Sequence, residues 1–184
     1  LFLSNLEQPY RDFCVVQFYV AGRVGEVAGI HTENIDLQNR SLEIRNTVVW
    51  KHSNKSFQEI KSLPKNGEAR VGHINDTLKD IFEKRMDKEM PLLFCDEQGL
   101  PLAYRKIQYH YNKALKKAGL NVSGTHFVRH TAASIARQVG SSLDSVMSIT
   151  GHKSSSMAEH YGKLATQKTI ETSQLMEKLL NAEP

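Results

Sequence analysis

Cysteine is scarce in this 184-residue sequence: Cys14 and Cys95 are the only two, and no C-x-x-C pair occurs. A disulfide framework is therefore excluded, and a reducing, cytoplasmic setting is expected. No apolar run approaches the roughly 20 residues that span a bilayer, and no signal peptide is visible, so no membrane partner is expected. Phosphate cradles of the forms G-x-x-x-x-G-K-S/T and G-x-G-x-x-G are missing. His126 and His130 have the four-residue spacing of two zinc ligands on a helix, but Phe127 stands where H-E-x-x-H needs Glu. No nucleophile elbow, internal repeat, low-complexity tract or internal linker is present. The chain opens on Leu1 rather than Met, as an excised piece of a longer protein would.

What is present suits one globular domain with a real core: 40% of residues are hydrophobic and 24% are charged. The net charge of +4 is unevenly placed. Residues 1–100 hold 13 basic against 15 acidic residues, whereas residues 101–184 hold 11 against 5. The second half is thus suited to a polyanion, although a basic surface alone says no more than solubility.

Along the chain, Gln8 to Ala21 reads as a buried helix. A short helix runs from Arg23 to Ile30, in which Arg23 and Glu26 are spaced to pair. Alternation over Ser41–Trp50 predicts a strand, Lys51–Ser56 an exposed hairpin or loop, and 59–63 and 70–74 two further strands. The turn signal Pro64-Lys65-Asn66-Gly67 between the last two puts Lys65 at the tip of a hairpin in a small antiparallel sheet. Asn75 or Asp76 caps a helix reaching about Lys88. Tyr104–Ala118 is a helix with an apolar stripe of Ile107, Tyr111 and Leu115. Its basic face carries Arg105, Lys106, Lys113, Lys116 and Lys117, which with Lys153 are candidate phosphate contacts or equally a solvated surface. The fold class is α+β and mainly helical, a single domain over residues 1–184.

The densest chemistry lies between Thr125 and Tyr161. His126 and Arg129 are three apart on a helix whose apolar stripe is Val128, Ala132, Ile135, Ala136 and Val139. Ser141 and Asp144 open a second helix that stops at Gly151, just before His152. Ser156 and Glu159 box a third, which carries Tyr161. His126, His130, His152 and His160 are an alternative metal-binding set.

These residues resemble the catalytic domain of the tyrosine recombinases, or phage integrases. Arg23-Val-Gly-Glu26 resembles the family's R-x-x-E, and His126-Phe-Val-Arg129-His130-Thr131 its H-x-x-R-H-T. Thr150-Gly151-His152, with Tyr161 nine residues after the histidine, resembles its L-G-H and tyrosine. The stretch PKNGEARVGHI resembles its hairpin-lysine pattern, placing that lysine at Lys65, with Lys61 four residues away as the alternative. Departures are Gly22 for Leu before the arginine, Thr150 for Leu, Pro64 for Thr, and Gly72-His73 for Val-Pro.

The resemblance implies DNA cleavage and rejoining, and the chemistry agrees with it. Attack on a phosphodiester builds negative charge that Arg23 and Arg129 are suited to hold. Tyr161 is the implied nucleophile, His126 a general acid or base, His152 a donor to the phosphate, and Lys65 the acid for the leaving 5′ oxygen. The bond energy stays in a 3′-phosphotyrosyl link, so neither cofactor nor metal is expected. Double-stranded DNA is the expected partner, with a homo-tetramer assembled on it. Residues 165–180 are expected to form a C-terminal helix docking on a neighbouring protomer, and an N-terminal DNA-clamping domain is expected outside this chain. A type IB topoisomerase-like enzyme and a non-enzymatic DNA-binding module are the alternatives.

Overall fold

The structure, a computed structural model, describes residues 1–62, 69–86, 90–138, 142, 145, 148 and 149. Helix α1 (Tyr10–Tyr19) is its centre. Phe13 and Val16 are fully enclosed, and even the polar Gln17 is only 1% exposed. A helix this apolar on nearly every face must be covered on all sides. Helices α2 (Val24–Ala28), α3 (Asp76–Arg85), α4 (Tyr104–Lys117) and α5 (His126–Gln138) all pack against it.

Local signals explain where these helices start. The Asn75 side chain accepts from the Leu78 backbone N–H at 2.9 Å, capping α3. Asp76 in its first turn and Lys84 and Arg85 in its last complement the helix dipole. Arg85 also reaches back to Asp12 at 2.6 Å, tying α3 to α1. On α4 the expected stripe of Ile107, Tyr111 and Leu115 is buried, joined by Ala114.

The sheet differs from the expectation. Strands β1 (Ile35–Asp36), β2 (Ser41–Ile44) and β5 (Arg70–His73) form one antiparallel sheet in the order β1-β2-β5. Strands β3 (Thr47–Trp50) and β4 (Phe57–Lys61) form a second. The single strand read over Ser41–Trp50 is thus broken at Arg45-Asn46. The strands flanking Lys65 pair with β3 and β2 rather than with each other. The hairpin or loop expected at Lys51–Ser56 is a tight hairpin joining β3 to β4, where the Lys51 N–H donates to the Ser56 carbonyl at 2.8 Å. Asn54 fixes that turn by accepting from the Ser56 N–H and hydroxyl. The two ladders are separated by two residues on one side, Arg45 and Asn46, and by eight, 62–69, on the other. Lys65 belongs to that longer side, in 63–68, outside the described residues.

Helix α2 sits almost flush on β3. A methyl group on Gly25 would stand 2.6 Å from the Val48 carbonyl oxygen and 2.8 Å from the Thr47 hydroxyl. Only glycine permits that approach.

Candidate active site

The turn between α1 and α2 positions the first site residue. Helix α1 ends with the Ala21 N–H bonded to the Phe18 carbonyl and the Gly22 N–H to the Gln17 carbonyl, a Schellman closure. Ala21 occupies its left-handed position with φ 44°. Arg23 follows in extended backbone, directly before the first turn of α2. The carboxylate of Glu26 accepts from the Arg23 backbone N–H at 3.0 Å, which satisfies one of the orphan donors of that helix start.

Glu26 is the hub. Its Oε1 lies 2.8 Å from Arg23 Nη1, and its Oε2 lies 2.9 Å from Arg70 Nη2 and 4.0 Å from Arg129 Nη1. Three guanidiniums, from the α1–α2 turn, from β5 and from α5, thus surround one buried carboxylate. Glu26 is 2% exposed, whereas Arg23 keeps 28% of its side chain open to solvent. Burial pushes the Glu26 carboxyl up, but the Arg70 charge and the bonds from Arg23 and Arg70 hold it below its ordinary value. Burial brings the Arg129 guanidinium down to about 10, with Arg23 adding repulsion, Glu26 opposing it and Arg70 adding more. Arg129 is therefore still charged at neutral pH.

The arginines also grip the turn. Arg70 Nη2 donates to the Val20 carbonyl at 3.3 Å, and Arg129 Nη1 to the Ala21 carbonyl at 2.8 Å. Gln17 Nε2 donates to the next carbonyl, that of Gly22, at 3.2 Å. Three consecutive carbonyls, 20 to 22, therefore accept from side chains of three different elements.

Arg23 and Arg129 are brought together around Glu26; the spacing in the sequence led us to expect only the pairing of Arg23 with Glu26. His126 and Arg129 start α5 at different depths: His126 is exposed, while Arg129 is drawn inward to Ala21 and Glu26. His130 is exposed as well. Lys65, His152 and Tyr161 lie outside the described residues, as do Lys153, Ser141, Asp144 and the helix expected over 165–180. Near the end of the described chain, the Ser142 hydroxyl accepts from the Ser145 N–H at 3.2 Å, one residue beyond the expected start signal. On α4, Arg105, Lys106, Lys116 and Lys117 are exposed, whereas Lys113 is 3.4 Å from Glu7.

Sequence reasoning assigned no role to Arg70. Its signal was nonetheless present, because it stands five residues after Lys65 in the stretch that resembles the hairpin pattern. Nothing local shows that a residue opening a strand turns its guanidinium onto a carboxylate 44 positions earlier.

The integrase of Staphylococcus phage L54a is 25% identical over 179 residues, covering 90% of this chain and 51% of that protein. The tyrosine recombinase XerC of Chlamydia pneumoniae is 25% identical over 167 residues, covering 89% and 50%. The chain thus spans about half the length of the curated relatives it matches. Among solved structures, the Tn1549 transposon integrase in complex with a circular intermediate DNA superposes with a TM-score of 0.70 at 19% identity, covering 96% of this chain and 62% of that one. The XerA recombinase does so with a TM-score of 0.58 at 19% identity, covering 100% and 62%. These two likenesses show a shared fold. The phage integrase family profile matches residues 2–168, nearly the whole sequence and both arginine motifs, and the chain belongs to that family.

Proposed function

We propose that this chain is the catalytic part of a site-specific DNA recombinase that cuts and rejoins strands through a 3′-phosphotyrosyl intermediate, in the integration or excision of a mobile element. The observation that carries this reading is the convergence of Arg23 and Arg129 on one carboxylate, with Arg23 part open to solvent. A buried guanidinium and a part-open one sharing a single anion keep a net positive charge. That excess suits an incoming phosphodiester, which is an anion and becomes more so during attack. Arginine serves better than lysine there, because its planar fork matches two phosphate oxygens and stays charged.

In the proposed step, the Tyr161 hydroxyl oxygen forms a bond to phosphorus and the bond from phosphorus to the 5′ oxygen breaks. His126 takes up or relays the phenol proton, and Lys65 delivers a proton to the departing 5′ oxygen. His152 donates to a non-bridging oxygen. A 5′-hydroxyl of another strand then attacks the phosphotyrosine and restores the backbone. The exposed side chains of Arg105, Lys106, Lys116 and Lys117 on α4 would meet DNA phosphates. Lys113 is a weaker contact because Glu7 competes for it. Assembly as a tetramer on DNA, with residues 165–180 docking between protomers, belongs to the same reading. Integrases and XerC recombinases among the relatives support it, as does the likeness to an integrase solved with DNA.

The test is a nicked suicide substrate carrying the cognate site. The parent should accumulate a covalent protein–DNA adduct, and Tyr161→Phe should bind DNA with none. An adduct of normal yield in Tyr161→Phe, or no adduct with the parent, overturns the reading. Recombinant product from two sites, rather than relaxation of one supercoiled circle, separates a recombinase from a topoisomerase.

A further inference from the structure

Gln17 is a buried polar residue that the proposed chemistry does not use. Its carboxamide lies at the centre of the molecule on α1, 1% exposed. Nε2 donates to two carbonyls, that of Gly22 at 3.2 Å and that of Thr125 at 3.1 Å. Gly22 directly precedes Arg23, and Thr125 directly precedes His126, the residue opening the helix that carries Arg129. One amide nitrogen therefore bridges the two chain segments that deliver the two arginine motifs, which are 103 positions apart from Gly22 to Thr125.

The orientation of the amide is fixed from the other side. The Tyr111 hydroxyl of α4 donates to Gln17 Oε1 at 3.0 Å. Burial raises the Tyr111 phenol well above its ordinary value, so it stays a protonated donor. With a donor on one side and two carbonyls on the other, only one setting of the amide satisfies every group. Leucine or methionine would fill the same helical position without a buried polar group, so the amide is an expensive choice unless its bonds are needed.

We infer that Gln17 is a positioning residue that sets the separation of the Arg23 turn from the start of α5, and so the fit of both guanidiniums to the phosphate, with Tyr111 holding its amide in the working orientation. The inference rests on the proposed strand-transfer reading. Its effect falls on the rate of the chemical step, because misplacing a catalytic group by about 1 Å costs roughly 100-fold. DNA affinity, dominated by many phosphate contacts on the surface, is left nearly unchanged.

The experiment measures single-turnover cleavage of the suicide substrate and equilibrium DNA affinity for the parent, Gln17→Met, Tyr111→Phe and Arg23→Ala, and for Gln17→Met combined with Arg23→Ala. All are assayed well below their melting temperatures. The expected result is a roughly 10- to 100-fold slower cleavage in Gln17→Met and a smaller loss in Tyr111→Phe, each with affinity within about twofold of the parent. In the Arg23→Ala background, Gln17→Met should add less than about threefold, since one of the groups it places is gone. Tyr111→Phe keeps its volume and Gln17, so it tests the idea even if Gln17→Met folds poorly. Parent-like cleavage in Gln17→Met and Tyr111→Phe overturns the inference while the adduct formed by the parent upholds the function. Equal losses of affinity and rate, or a full additional loss in the Arg23→Ala background, reduce Gln17 to a general stabiliser and overturn it as well. A parent that forms no adduct overturns the function itself.

Discussion

Replacing Glu26 with Gln probes the charge at the centre of the site. The amide keeps the volume and one acceptor, so the change removes the negative charge and turns one oxygen that accepts from an arginine into a donor. Arg23, Arg70 and Arg129 stay around it, with nitrogens 2.8, 2.9 and 4.0 Å from the carboxylate oxygens in the parent. Arg70 and Arg129 are 14% and 7% exposed, so water screens them poorly. Removing one member of such a buried ionic cluster costs about 3–5 kcal/mol, because the remaining charges are left uncompensated. At about 2–4 °C per kcal/mol for a domain of this size, the melting temperature should fall by about 6–20 °C at pH 7. The pH dependence sharpens the test. The folded Glu26 carboxyl titrates below its unfolded value. Its contribution is complete above the unfolded pKa, about 4.3, and is lost as pH falls through the lower folded value. The gap between parent and variant should therefore be widest near neutrality and shrink below about pH 4. Urea unfolding of both proteins from pH 7 downward measures it. A gap under about 1 kcal/mol at pH 7, or one that stays constant on acidification, would refute the hub assignment.

Gly25→Ala drives a methyl group against the Val48 carbonyl oxygen at 2.6 Å, so α2 must lift from β3. The expected cost is about 1–3 kcal/mol by urea unfolding, and a loss under about 0.5 kcal/mol would contradict the close packing. At Ala21, with φ 44° and 1% exposure, a valine combines left-handed strain with overpacking. Ala21→Val should cost about 2–4 kcal/mol and Ala21→Gly stay within about 1 kcal/mol of the parent, and equal effects would argue against the strained turn. Cleavage lost in Lys65→Ala should return on a 5′-bridging phosphorothiolate, whose leaving group needs no proton. Rescue of Lys61→Ala instead would move the general acid to Lys61, whose side chain is exposed and 3.5 Å from Glu59.

Several of these features are legible in the sequence because their signals are local. The pairing of Arg23 with Glu26 follows from i,i+3 spacing on a helix start, and the stripe of α4 follows from its period. The cap of α3 follows from Asn75 standing before a helical pattern. What escaped reading is nonlocal. The break at Arg45-Asn46 depends on which strands β2 and β3 find as partners, and strand pairing leaves no mark within a single segment. The turn Pro64-Lys65-Asn66-Gly67 suggested a hairpin by its composition, yet the flanking strands belong to different sheets. Gln17 looks like an ordinary residue of its helix, and the signal of Arg70, its place five residues after Lys65, says nothing of its partner. Their partners, Glu26 in one case and Gly22 and Thr125 in the other, become neighbours only when the chain closes on itself. The burial of Arg129 beside an exposed His126 has the same origin, since its depth is set by the Ala21 carbonyl and Glu26.

The unequal joint between the two ladders gives this fold a place to vary in length. Residues 62–69 leave and re-enter regular pairing at Lys61 and Arg70, both held in register, while only Arg45 and Asn46 cross on the facing side. Closing a segment between two fixed ends becomes costlier only with the logarithm of its length, so doubling these eight residues would add about 0.6 kcal/mol. Under the proposed function, insertion or deletion there would by itself alter the reach of the proposed acid Lys65. Arg70, at the far end of the segment, is anchored on Glu26 at 2.9 Å, so a change of length there leaves the arginine cluster in place.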